Sequence, residues 1–148
     1  MPTYTVTTVG LTLSAEQKSD IAQLITTSHA GNTGAPGYFA QVFFQTYAVG
    51  DHFFGGCLNN STQVYIHGLI RAGRTVEQKT GLMAEVAEKA AGICAVGRED
   101  VWMYLQDIEA EQMIEYGRVL PPPGAEAEWR AGLSAEKEQA LKRDGVNL

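Results

Sequence analysis

The chain has 148 residues, 45% of them hydrophobic and 19% charged, with a net charge of −6. That length supports one domain with a proper core, and the acidic balance argues against nucleic acid as a partner. No apolar run is long enough to span a membrane and the polar, Thr-rich start is no signal peptide, so a soluble, globular protein of the cytoplasm is expected.

Pro2 follows Met1 and opens a strand-like run. A small second residue is what removal of the initiator methionine requires. Once Met1 is gone, Pro2 presents a secondary amine on a rigid ring. An ordinary α-amino group titrates near ~7.7–8.0, and burial or neighbouring cations lower that value. Thr3 to Val9 is rich in Thr, Val and Tyr, which fit a strand. Ala15 to Ala30 follows with Ile21, Leu24 and Ile25 at helical spacing. Gly31 to Gly37, with Pro36, is expected to break the chain, and Phe39 to Tyr47 reads as an aromatic strand.

The same pattern then returns. Ser14-Ala15-Glu16-Gln17-Lys18 reappears as Thr75-Val76-Glu77-Gln78-Lys79, a shift of 61 residues (77 − 16). Both are capping boxes, with Ser14 or Thr75 as cap and Gln17 or Gln78 three residues on. An ungapped shift also pairs Tyr4 with Tyr65, Gly31 with Gly92, Gln45 with Gln106 and Gly56 with Gly117. Gln63 to Ile70 reads as strand, Val76 to Gly92 as helix, and Val101 to Ile108 as strand. A helical crossover makes the strands of each unit parallel and the connection right-handed. The expected fold class is therefore α/β (α+β). Two tandem β-α-β units, about residues 2–57 and 63–118, form a four-stranded sheet with both helices on one face. The other face needs cover, which predicts oligomerisation. The whole chain, 1–148, reads as a single domain with a C-terminal extension from 119 to 148. There Pro121-Pro122-Pro123-Gly124 forbids regular structure. Short helices are expected over Glu126 to Arg130 and, capped by Ser134, over Ala135 to Arg143. The extension reads as a packing tail.

Places where the two copies diverge are candidates for chemistry. On the ungapped shift, Arg71 replaces Gly10, Arg74 replaces Leu13, Tyr104 replaces Phe43, Glu115 replaces Phe54, and His29 stands where the second copy has Ala90. Arg71 and Arg74 precede the Thr75 cap, where a helix N-terminus attracts anions and arginine grips carboxylates. Their cations oppose the helix dipole by roughly 0.3–1 kcal/mol, which suggests a purpose. Trp102 and Tyr104 share a strand face. Glu115 lies in the apolar stretch Met113-Ile114-Glu115-Tyr116, where a carboxyl can have a raised pKa. Cys57 and Cys94, with His29, His52 and His67, are scattered without metal-ligand spacing, and His67 reads as structural. No metal or other cofactor is expected.

Pro2, the two strand-helix-strand units and the arginine pair resemble the tautomerase superfamily, whose members use an amino-terminal proline. Three stretches narrow it: His67-Gly68-Leu69-Ile70-Arg71-Ala72-Gly73-Arg74, Val101-Trp102-Met103-Tyr104, and Glu115-Tyr116-Gly117-Arg118-Val119-Leu120-Pro121 continuing to Trp129. These are similar to the cis-3-chloroacrylic acid dehalogenase branch. The resemblance covers nearly the whole chain and fades after about Leu133. It implies that Pro2, Glu115 and Tyr104 are catalytic, that His29, Arg71 and Arg74 bind a small carboxylate substrate, and that the chain forms a homotrimer. The family's pocket loop has Thr-Gly-Thr where this chain has Thr33-Gly34-Ala35, and Phe39 replaces a leucine. The implied reaction is addition of water to a short unsaturated three-carbon acid, with Pro2 as general acid and Glu115 activating water. Two other readings accompany it: an enol–keto tautomerase with Pro2 as base, and a non-enzymatic protein-binding module.

Overall fold

The computed structural model describes residues 2–36 and 40–146, so Met1 and Phe39, on which two expectations fell, lie outside the described residues. Strand β1 (Thr3–Val9), helix α1 (Ala15–Thr33) and strand β2 (Gln41–Tyr47) make the first unit. A small hairpin, β3 (Phe53–Phe54) and β4 (Cys57–Leu58), follows it. Strand β5 (Gln63–Arg71), helix α2 (Val76–Cys94) and strand β6 (Val101–Ile108) make the second unit. A second hairpin, β7 (Ile114–Glu115) and β8 (Arg118–Val119), follows that one. Two short helices close the chain, α3 (Glu126–Ala131) and α4 (Ala135–Arg143).

Both capping boxes form. Ser14 and Thr75 accept from the backbone N–H of Gln17 and Gln78, whose side chains return the bond to the cap N–H. The helices end later than their sequences suggest. Gly31 and Gly92 stay helical, and the turn-off comes at Gly34 (φ 71°) and Ala95 (φ 55°), both left-handed. The break expected at Gly31 is thus displaced to Gly34, because one glycine inside a helix only weakens it while a left-handed residue ends it. The hairpins turn through Gly55-Gly56 and Tyr116-Gly117, with positive φ at both central residues. That conformation matches the twist of two-residue hairpins.

The four long strands run in the order β2-β1-β5-β6. Each unit's two strands are parallel, and β1 and β5 meet antiparallel at the centre. Both helices pack on one face. Tyr4, Val6, Val64, Ile66 and Ile70 of the sheet form one buried cluster with Ile21, Ile25, Leu82, Val86 and Ala90 of the helices. The opposite face carries exposed aromatic rings: Phe43, Trp102 and Tyr104, the last 54% exposed. Among the described residues no helix is long and apolar enough to cross a membrane.

The register corrects one expectation. Helices, outer strands and hairpins correspond at the ungapped shift: Ala15–Thr33 with Val76–Cys94, and Phe53–Phe54 with Ile114–Glu115. The central strands do not. Val9 lies opposite Tyr47 just as Arg71 lies opposite Ile108, so Arg71 corresponds to Val9 and not to Gly10. Likewise Tyr4 corresponds to Ile66, and the Tyr4–Tyr65 match joins residues on opposite faces of the sheet. The second copy has one residue fewer between strand and cap. Side chains alternate faces with period two, so a one-residue offset turns every strand residue over.

Candidate active site

The site lies where β5 hands the chain to α2. Arg71 ends the strand and is buried; Arg74 stands one residue before the Thr75 cap. With Pro2, they line a cavity of about 30 Å³, closed by Ala35, Pro36, Leu120, Pro121, Glu126 and Trp129. Pro2 is buried, and its carbonyl accepts from the Gln41 N–H at 3.1 Å, which fixes the start of β1 beside β2.

Arg71 is held from the C-terminal extension. Its Nη1 donates to the Pro121 carbonyl at 2.6 Å, and its Nη2 donates to Glu126 Oε1. Glu126 Oε2 also accepts from the Gly124 N–H at 2.8 Å. Burial pushes the Glu126 carboxyl up, but the hydrogen bonds from Arg71 and the backbone outweigh it and hold the group below its ordinary range. Arg74 is different. Its Nε is shut off from solvent and has no hydrogen-bond partner among the described residues. Burial lowers its pKa, and neighbouring Arg71 lowers it further, against the pull of Glu126 and Asp107.

His29 is buried on the inner face of α1. Burial, then Arg74 and Arg71, depress its pKa to about 4, so the ring is neutral near pH 7. Its Nδ1 lies 2.7 Å from the Tyr4 hydroxyl. Burial keeps that hydroxyl protonated. A buried hydroxyl needs an acceptor, and His29 Nδ1 is the one it has among the described residues. If Tyr4 donates to Nδ1, the ring proton sits on Nε2, where it can be offered to an anion. Gly68 makes this pair possible, because a Cβ there would lie 2.5 Å from Tyr4 Cε1.

Glu115 is carried by the second hairpin, with its Oε2 shielded from solvent. Burial raises its pKa, and Arg71 works against that rise. The hairpin is tied to the extension through Trp129, which is buried and donates from Nε1 to the Val119 carbonyl at 2.8 Å. Arg118 lies over the same indole, 5.6 Å from the ring centroid.

Five of the six expected residues are linked in this way. Pro2, Arg71 and Arg74 share the cavity, His29 is within electrostatic reach of both arginines, and Glu115 is within reach of Arg71. Tyr104 is not brought to them within one chain. It stands on the uncovered sheet face, its ring 5.2 Å from that of Tyr65. Among the described residues, no three His, Cys, Asp or Glu side chains converge as a metal site.

The sequence matches the Tautomerase_3 family, described as "Putative oxalocrotonate tautomerase enzyme", over residues 1–133. The chain belongs to the tautomerase superfamily. Among solved structures it is similar to N1, a member of the cis-3-chloroacrylic acid dehalogenase family. The two are 36% identical with a TM-score of 0.85, over 95% of this chain and 99% of that one. A structure named native Ps01740 is 29% identical with a TM-score of 0.70, over 76% of this chain and 99% of the other. A fused 4-OT wild-type asymmetric trimer shares the fold at 23% identity and a TM-score of 0.72, over 79% and 94% of the two chains. Among curated proteins, none matches at a significant level.

Placed in this superfamily, the chain stands on the branch like cis-3-chloroacrylic acid dehalogenase that its motifs resemble. Three contributors escaped the sequence reading. Tyr4 supports His29, and its signal was available, since it alternates with Val6 on the buried side of β1. Glu126 carries no signal that separates it from Glu128. Trp129 belonged to a segment read as a packing tail. That expectation needs correction, because Pro121, Glu126 and Trp129 form one wall of the cavity.

Proposed function

We propose that this tautomerase-superfamily protein adds water across the double bond of a short unsaturated carboxylic acid, with cis-3-chloroacrylate as the model substrate. The observation that carries the reading is Glu115, a half-buried carboxyl with one oxygen shielded from solvent and a raised pKa, within electrostatic reach of Arg71, which shares a cavity with Arg74 and Pro2. Similarity to a member of the cis-3-chloroacrylic acid dehalogenase family supports it.

Arg71, Arg74 and neutral His29 draw in the substrate carboxylate and withdraw electron density toward it, which makes the β-carbon electrophilic. Glu115 takes a proton from water as the oxygen bonds to the β-carbon. Pro2, freed of Met1 and protonated, delivers a proton to the α-carbon as the double bond closes. With chlorine on the β-carbon, the product loses HCl: the C–Cl bond breaks, the hydroxyl oxygen forms the carbonyl, and an aldehyde acid and chloride leave. Tyr104 takes part from a neighbouring copy, in an assembly that covers the aromatic sheet face. The trimers described for fused 4-OT proteins support a homotrimer.

A positioned acid or base is typically worth ~10²–10⁴-fold in rate. Glu115→Gln is expected to lower hydration of cis-3-chloroacrylate by about that factor, measured as steady-state chloride release. An unchanged rate removes Glu115 from the mechanism.

The family description favours a second reading, enol–keto tautomerisation, in which neutral Pro2 acts as base and Glu115 is dispensable. The pH–rate profile separates the two. Acid catalysis by Pro2 fails as pH rises through its pKa, and base catalysis fails as pH falls through it.

A further inference from the structure

We propose that Glu126 sets the charge count of the anion site and thereby restricts it to monocarboxylates. The proposal rests on the reading of Arg71 and Arg74 as a carboxylate receptor. Both terminal nitrogens of Arg71 are already engaged, one by the Pro121 carbonyl and one by the Glu126 carboxylate. Glu126 is itself pinned by the Gly124 N–H, so the pair is built into the extension and does not depend on substrate. One bond at each terminal nitrogen leaves Arg71 further N–H donors for an incoming anion, and beside it Arg74 has a buried Nε with no hydrogen-bond partner among the described residues. The two guanidiniums and one carboxylate leave a single positive charge on the side chains, and protonated Pro2, which lines the same cavity, adds one more that is common to every variant compared below. Glu115 adds a further negative charge when ionised, on the hairpin side of Arg71, and is common to every variant compared below.

The position of Glu126 sharpens the effect. It lines the inner cavity of about 30 Å³ and also an outer cavity of about 490 Å³, and Pro36 is the other residue common to both. An anion that seats one carboxylate on Arg74 and points a second outward meets the Glu126 carboxylate. Arg130 in the outer cavity offers little relief, because Glu138 lies 3.8 Å from it. Like charges at such range in a partly buried site change binding by about tenfold or more. A monocarboxylate carries no second charge and is spared.

The test is direct binding of two anions without a leaving group, acrylate and maleate, to the purified protein by calorimetric or NMR titration, with each anion's NMR signals followed to exclude turnover. Wild type is expected to prefer acrylate. Glu126→Gln is expected to shift the acrylate-to-maleate preference toward maleate by about tenfold. The double variant Arg71→Gln/Glu126→Gln removes one charge of each sign and should return the ratio to within about threefold of wild type. An unchanged ratio in Glu126→Gln, or an equal loss of both anions, overturns the proposal and leaves Glu126 a merely structural tie. If Glu126→Gln does not fold, the wild-type ratio decides, and equal affinity for the two anions overturns it. A protein that shows the expected ratio but does not hydrate haloacrylates loses the hydratase reading and keeps this one. The converse result does the reverse.

Discussion

At the end of β1 the first unit places Val9 and Leu13; both are buried, and Leu13 belongs to the apolar core cluster. At the corresponding end of β5 the second unit places Arg71 and Arg74. The first hairpin carries Phe54 where the second carries Glu115. The scaffold is nearly the same on both sides: matching capping boxes, matching left-handed helix ends and matching hairpin turns. The first unit uses its strand–helix junction to hold the fold. The second uses the same junction to gather charge, and it relies on the extension, through Pro121 and Glu126, to hold that charge in place. Polar chemistry has replaced core packing at equivalent points, so the second junction should be the less stable and the more functional of the two.

Changes on either side test that contrast. Leu13→Ala removes packing from the first junction and is expected to cost about 2–5 kcal/mol in urea unfolding, with KM nearly unchanged. Arg74→Leu gives the second junction the first junction's residue. Loss of a charge-assisted contact of about 1.5–3 kcal/mol predicts a fall of roughly 10- to 100-fold in kcat/KM. Burial and neighbouring Arg71 already disfavour the Arg74 charge, so the same variant should melt no lower than wild type. A marked loss of stability in Arg74→Leu would erase the distinction between the two junctions.

Gly68→Ala forces a methyl group against Tyr4 and should destabilise by about 1–3 kcal/mol. Because the Tyr4 ring then shifts away from His29, a rise in KM should accompany the loss. Restored KM in Gly68→Ala with the stability loss intact would show that His29 does not depend on Tyr4.

The smallest effect is in pH dependence. His29 titrates near 4 in the folded chain and near 6.5 when unfolded. Between those values the unfolded state binds the proton that the folded state refuses, so stability falls as pH drops from 6.5 toward 4. Glu115 has the opposite sign: its raised pKa lets the folded state keep a proton, and its contribution worsens as pH rises out of the carboxylate range. His29→Gln should flatten the acid-side fall in Tm, and a slope equal to wild type would contradict the assignment.

Local signals made much of this readable in advance. Capping boxes are written in four adjacent residues, and Ser14 and Thr75 announce their helices without help from the rest of the fold. Strand alternation placed Trp102 and Tyr104 on one face, but which face meets solvent depends on where both helices pack. Arg71 was singled out as a divergent residue against Gly10, whereas its counterpart is Val9. A missing residue in a loop cannot be seen by an ungapped comparison, and pairing register reveals it. Glu126 was unreadable because its role comes from a contact with Arg71, 55 positions away in sequence. The two hairpins were missed because two residues per strand give no periodicity to detect.

The burial of Pro2 in the cavity wall has a practical consequence for anyone handling this protein. On the mechanism proposed above, a purification tag placed before Pro2 turns the amine into an amide and is expected to abolish activity. The far end of the chain is a safer handle: helix α4 buries none of its residues, and it stands outside the cluster of Leu120 and Trp129 that shapes the pocket.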